Sequence, residues 1–183
     1  MKPRKTLCYS DAPYVISLMR LIETQSKPTI INWCVDYVEA RYLPIWEKYF
    51  PDDHTPHIAL DMAHKWLRGE VKIQEVRGIT WDAWDAARAK SAPAAVEAAA
   101  AAIANAVLTC HVATHSIRVA FYGSAAVAYN CLGESATDED YDAVAAEETA
   151  RFEAALRTIA VPDEPNPMPC KWSGMNNIRK MER

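Results

Sequence analysis

Residues 93–108 read PAAVEAAAAAIANAVL, and this stretch decides the fold. Alanine has the highest intrinsic helix propensity, so the composition is typical of a helix. Only Glu97 and Arg118 are formally charged between residues 92 and 133. We therefore expect this segment to form the buried middle of a helical bundle. Its length suits either one helix of about 40 residues or two helices joined by a bend near 109–116, and both remain open.

A transmembrane helix is the alternative interpretation of this segment, because about 20 weakly polar residues in a row can span a bilayer. Alanine contributes little insertion energy, and Asn105, His111 and His115 fall inside the candidate span. We therefore favour a helix buried in protein and expect no membrane partner.

On the N-terminal side, turn and proline signals divide the chain into helices. A first helix is predicted from about Ala12 to Gln25 with Asp11 as its N-cap, and a second begins at Pro28. Pro44 should kink or end the second helix. Its predicted apolar stripe consists of Ile31, Val35, Val38, Tyr42 and Ile45.

The turn 51–56 should start a third helix that ends near Arg68, with Gly69 as its C-cap. The predicted buried face of this helix comprises Ile58, Ala59, Met62, Ala63, Trp66 and Leu67. Its polar face comprises His57, Asp61, His64, Lys65 and Arg68. The third helix therefore reads as amphipathic, with one side available to solvent.

Gly78 should separate this unit from a further helix that contains Trp81 and Trp84. The two indoles lie three residues apart and so share a helical face. Tryptophan is favoured both in cores and in interface hot spots, and we favour the core for this pair.

The C-terminal third is acidic and then rich in proline. Residues 134–164 hold ten acidic side chains against Arg151 and Arg157, and the sequence 137–140 is typical of a helix N-terminus. Beyond Val161 prolines are dense and periodicity is lost. We expect one all-α domain over residues 1–161, a bundle of about six to seven helices, and an extended or disordered tail over 162–183.

Composition limits the function classes. The 183 residues carry Lys+Arg 20 against Asp+Glu 24, a formal net charge of -4, without a basic cluster. This argues against nucleic-acid binding, which needs a dense basic face, and suits a basic protein partner. The five cysteines lack paired spacing, which indicates reduced thiols in a cytoplasmic protein, and the N-terminus lacks a secretion signal.

The sequence lacks the motifs of common enzymes. It contains no G-x-G-x-x-G, no P-loop and no G-x-S-x-G. We therefore expect neither catalytic residues nor a cofactor.

Two histidine groups are weak candidates for metal binding. His111 and His115 are spaced i and i+4, which would place both imidazoles on one helical face, but Val112 stands where a zinc protease has its glutamate. His57 and His64 could converge on a cation with Asp61. We favour hydrogen-bonded histidines in a packed interior for the first group and a solvated helix face for the second. No metal site is therefore predicted.

Two acidic groups are candidates for binding a partner protein, and the sequence does not choose between them. The first comprises Asp52, Asp53, His57, Asp61 and His64. The second comprises Asp138, Glu139, Asp140 and Asp142.

Two stretches resemble the predicted immunity proteins of bacterial polymorphic-toxin and bacteriocin systems. One is YLPIWEKYFPDD at 42–53, followed by PHIAL at 56–60 and WLRGE at 66–70; the other is CHVATH at 110–115. The resemblance covers about residues 30–160. It implies a small all-helical protein that binds and neutralises a cognate toxin, and it brings no catalytic residues.

Three functional hypotheses follow. The first is a non-enzymatic immunity protein that covers the active site of a toxin, which an acidic surface would help if the toxin is basic. The second is a helical metal-binding protein or metalloenzyme that uses His111 and His115. The third is a helical adaptor without a toxin partner. All three hypotheses are compatible with a protein that forms a homo-oligomer.

Overall fold

The computed structural model describes residues 3–79 and 92–172. Within these ranges the chain forms seven helices of which both ends are described, and no strand, which confirms the all-α prediction. They are α1 Pro13–Glu23, α2 Lys27–Arg41, α3 Leu43–Tyr49, α4 Thr55–Leu67, α5 Ala94–Leu108, α6 His115–Leu132 and α7 Asp138–Ile159. Residues 73–79 are helical as well.

Helix α5 is the centre of the bundle. Thirteen of its 15 residues are buried, and it packs against α2, α3, α4 and α6. A helix that is apolar on every side belongs inside a protein, so the predicted buried middle is confirmed. Its alanines leave room for four neighbouring helices to approach closely.

The central segment is two helices, not one. The backbone turns at residues 109–114, between the end of α5 and the start of α6. The Thr109 hydroxyl donates to the Asn105 carbonyl at 2.9 Å, and the Ser116 hydroxyl donates to the Ala113 carbonyl at 2.6 Å. The backbone N–H groups of the same two residues donate to the same carbonyls at 3.1 and 2.9 Å, so each hydroxyl adds a second hydrogen bond to a turn acceptor. Among the described residues, no helix has the length and apolar character that crossing a membrane requires.

Most of the helix boundaries follow the local signals, with one difference at the start of α1. Helix α2 ends at Arg41 and α3 begins at Leu43, as Pro44 predicts. The N-cap of α1 is Ala12 rather than Asp11, because Pro13 occupies the first helical position. Arg68 is the C-cap of α4, and Gly69 after it has φ of +74°, which is the backbone conformation of a helix-ending glycine.

Gly78 is helical, in the stretch 73–79, and the further helix that it was predicted to precede lies outside the described residues. A single glycine in a helix costs only about 1 kcal/mol, so neighbouring residues can override it. Trp81 and Trp84 lie outside the described residues.

A buried carboxylate joins α2 to α7. Glu148 is 2% exposed and accepts hydrogen bonds from the hydroxyls of Tyr37 at 2.8 Å and Tyr42 at 3.1 Å. The Arg41 guanidinium, at the end of α2, completes an ion pair with the same carboxylate at 3.2 Å. Burial, followed by the Glu148 charge, raises the pKa of Tyr42 well above its ordinary value, so this hydroxyl stays a donor.

The Tyr42 ring lies directly against the backbone of α6. It is fully buried, and a Cβ added at Gly123 would overlap its Cζ, Oη and Cε2 atoms. Only glycine therefore fits at position 123 while the Tyr42 hydroxyl reaches Glu148.

The segment that follows α7 lies along the end of α1. Residues 162–172 form no helix, and Met168, Cys170 and Trp172 pack against the core. The buried Gln25 side chain accepts from the Val161 backbone N–H at 2.8 Å, and the Met168 N–H donates to the Gln25 carbonyl at 2.8 Å. The division into a domain at 1–161 and a tail at 162–183 stays a prediction.

We expect Gly123→Ala to lower the free energy of unfolding by about 1–3 kcal/mol, because the new methyl group overpacks the Tyr42 contact. Helix propensity alone would give the opposite sign, since alanine is the better helix former. The matched control is Gly78→Ala, where a Cβ meets nothing within 4 Å. The control should leave stability unchanged or raise it by about 0.5–1 kcal/mol. Urea unfolding of both variants measures the difference, and equal stabilisation of both would contradict the packing argument.

Candidate partner-binding surfaces

The polar side of α4 carries the histidines and the aspartate that the sequence analysis selected. Asp61 is exposed, whereas His57 and His64 are half-buried along one flank of the helix. The opposite side of α4 is buried through Pro56, Ala59, Leu60 and Ala63. The structure therefore brings these three polar residues to one accessible side.

Each histidine pairs with a carboxylate from another helix. His57 Nε2 lies 3.0 Å from Glu47 Oε1 on α3, and His64 Nε2 lies 3.0 Å from Glu39 Oε1 on α2. Asp36 of α2 also lies beside His64. The accessible surface thus extends beyond α4, and we call it the α2–α4 face. It comprises Asp36, Glu39, Glu47, Asp52, His57, Ile58, Asp61 and His64.

Ile58 is the apolar residue of this face. The prediction that it belongs to the core is wrong, because 53% of it is exposed. Leu60 is buried in its place, since α4 packs through the stripe that contains Ala59 and Ala63. At 100° per residue, Ile58 projects away from that stripe and lies among the polar side chains.

Asp53 holds the start of α4. Its Oδ1 accepts from the Thr55 backbone N–H at 3.0 Å and from the Thr55 hydroxyl at 2.5 Å. A carboxylate at a helix N-terminus satisfies an N–H group that lacks a helical partner. The half-buried Asp53 side chain is thereby committed to the fold, while Asp52 beside it is exposed.

The second predicted group lies at the start of α7 and is largely engaged within the chain. Asp140 forms a capping box with Thr137. Arg4 lies 3.4 Å from Asp138 and 3.1 Å from Asp142, so one guanidinium offsets two carboxylates. Glu139 is exposed. The structure therefore reduces the negative charge that this group would present to a partner.

These geometries can be set beside a comparison with known proteins. The model of the family described as Imm-5 like putative immunity protein matches residues 20–155. The chain belongs to this family. The match begins inside α1 and ends inside α7, so it contains both candidate surfaces. No curated protein matches the chain, and no solved structure does.

His111 and His115 do not share a helical face, so that prediction is wrong. His111 lies exposed in the turn between α5 and α6, whereas His115 is the first residue of α6. His115 Nδ1 lies 2.9 Å from Asn105 Oδ1, and the Asn105 amide nitrogen donates to the Ala101 carbonyl at 2.8 Å. The Asn105 oxygen is therefore the acceptor, and His115 Nδ1 carries the hydrogen.

Burial is the main cause that lowers the pKa of His115, to about 4, with Arg118 and His111 adding to it. Since the unperturbed pKa is 6.5, the unfolded chain binds the proton first as pH falls. The neutral imidazole therefore contributes stability above about pH 6.5 that is lost toward pH 4. His115 therefore connects the start of α6 to α5 through its hydrogen bond to Asn105.

The sequence analysis missed Asp36, Glu39 and Glu47. Asp36 and Glu39 have i, i+3 spacing, which signals one shared helical face, but the pattern does not say which other helix lies beside them. Their meeting with His64 requires the packing of α2 against α4.

We expect His115→Gln to flatten the decline in unfolding free energy between about pH 6.5 and pH 4, because the titrating imidazole is gone. Urea unfolding at several pH values, compared with the wild type, measures the change in slope. The control is His111→Gln, which removes an exposed imidazole from the adjoining turn; because His111 is only the smallest of the three causes of the His115 shift, the slope should change far less than in His115→Gln. Equal slopes in all three proteins would show that His115 is not buried as a neutral group.

Proposed function

We propose that this protein neutralises a cognate toxin by binding it, without catalysis of its own. Two observations support the proposal: the family match over residues 20–155, and the accessible α2–α4 face within it. An immunity protein needs a surface that complements its toxin, and binding alone is sufficient to block an active site.

We assign toxin binding to the α2–α4 face because Ile58 is exposed there among acidic and histidine side chains. Interfaces commonly combine an apolar centre, which excludes water, with a polar rim that supplies specificity. Ile58 is 53% exposed and is flanked on α4 by His57 and Asp61. At the start of α7, residues 137–140 are polar and exposed, and the nearby exposed aromatic residue Tyr9 uses its hydroxyl to accept a hydrogen bond from Arg4.

Charge also favours the α2–α4 face. Its carboxylates Glu39 and Glu47 are paired with histidines, which are charged only when protonated. Asp138 and Asp142 are instead paired with an arginine, which is always charged. The α2–α4 face therefore keeps more of its negative potential and should attract a basic toxin surface and speed association.

The toxin is first identified by a pull-down of the tagged protein against the products of its flanking genes. We expect capture of a polypeptide that arrests growth when expressed alone and is harmless when co-expressed with this protein. Capture of a harmless product would favour the adaptor hypothesis, and capture of nothing would contradict the proposed function.

Two variants then test the surface. We expect Asp61→Lys and Ile58→Ala each to weaken toxin binding by about tenfold or more, which corresponds to about 1.4 kcal/mol. Glu147→Lys is the matched control for the charge change, because Glu147 and Asp61 are both exposed and both form i, i+4 ion pairs, with Arg151 and Lys65. Binding is measured by calorimetry or surface plasmon resonance. Equal losses in Asp61→Lys and Glu147→Lys would move the binding site away from the α2–α4 face.

A further inference from the structure

Three potential metal ligands meet where α2 packs against α4. Asp36 and Glu39 project from α2, and His64 projects from α4. One carboxylate oxygen from each acid and one imidazole nitrogen all lie within 4.8 Å of one another. Ligand atoms around a tetrahedral zinc ion are roughly 3.3–3.6 Å apart, so small side-chain rotations would close the set on one ion.

The helices hold these ligands on a fixed base. Asp36 and Glu39 each follow a buried valine, Val35 and Val38, and His64 follows the buried Ala63. Since the neighbouring side chains are locked in the core, the three Cα positions are fixed before any ion arrives. Such preorganisation favours metal binding, because only side-chain rotations remain to be ordered.

In the described part of the chain, the two carboxylates of the trio have no lysine or arginine partner. Among residues 3–79 and 92–172, neither Asp36 nor Glu39 forms an ion pair with lysine or arginine, and Lys65 pairs with Asp61 instead. Like charges three residues apart on a helix repel each other. A divalent cation would remove this repulsion and use the His64 nitrogen that now contacts Glu39.

The donor set selects the class of ion. One imidazole with two carboxylates suits a borderline ion such as Zn²⁺, whereas Ca²⁺ and Mg²⁺ prefer oxygen ligands alone and copper(I) prefers sulfur. Three protein ligands would leave the fourth tetrahedral position to water. We infer that Asp36, Glu39 and His64 form a binding site for a single zinc-type divalent ion. This inference goes beyond the proposed function and does not depend on it.

The test is titration of the full chain, freed of chelator and of any histidine tag, with Zn²⁺ in a calorimeter. We expect one saturable site, a rise in the thermal midpoint with added Zn²⁺, and no displacement by excess Ca²⁺. Asp36→Asn and Glu39→Gln keep the side-chain shapes and should each weaken Zn²⁺ binding by tenfold or more, since loss of outer-shell partners alone costs 10–100-fold in general. Asp36 is exposed, so its variant should fold normally.

Glu47→Gln is the matched control. It alters the His57–Glu47 pair, which has the same 3.0 Å separation as His64–Glu39 but does not belong to the trio. Zn²⁺ affinity should be unchanged in this variant. Absence of saturable binding in the wild type, wild-type affinity in both Asp36→Asn and Glu39→Gln, or an equal loss in Glu47→Gln would each overturn the assignment. The titration contains no toxin, so a negative result would contradict the zinc site without contradicting the proposed function.

Discussion

The buried carboxylate of Glu148 is the constraint on which the arrangement of helices depends. An ionised group out of contact with water is costly unless charges and hydrogen bonds satisfy it, and here two hydroxyls and a guanidinium do so. All three donors come from the last residues of α2 and the residue after it. Tyr42 is also the N-cap of α3, and α3 carries Glu47 to His57. The accessible α2–α4 face is thus oriented by a polar contact in the interior.

Much of the helical architecture was predictable from the sequence because it follows local signals. Prolines 13, 28, 44 and 56 all lie in the first turn of a helix, and Gly69 and Gly133 follow helix ends with positive φ. The phase of α4 was not predictable, since Ile58 and Leu60 offered two competing apolar stripes. Packing against α5 selected the stripe with the small residues Ala59 and Ala63. The burial of Glu148 was hidden for a related reason, because an acidic residue in an acidic segment signals exposure unless its distant partners are known.

The candidate sites divide in the same way. Groups of residues within one helix were predictable from the sequence, and groups that combine several helices were not. His57, Asp61 and His64 lie on one helix, so their spacing was sufficient to group them. Their carboxylate neighbours come from α2 and α3, and only tertiary packing brings them together. At the start of α7 the sequence shows dense negative charge, but Arg4, more than 130 positions away in the sequence, offsets part of it. Histidines 111 and 115 were misplaced because a turn interrupts the helical spacing between them.

Nine of the 15 residues of α5 are alanines. An alanine side chain has no rotamers to lose, so ordering the centre of this bundle carries almost no side-chain entropy cost. The neighbouring helices supply the large side chains at their contacts with α5, and Trp46 of α3 packs against Val96 and Ala100. The bulky side chains that define a unique packing, such as Tyr42, Trp46 and Phe152, are supplied by the surrounding helices instead.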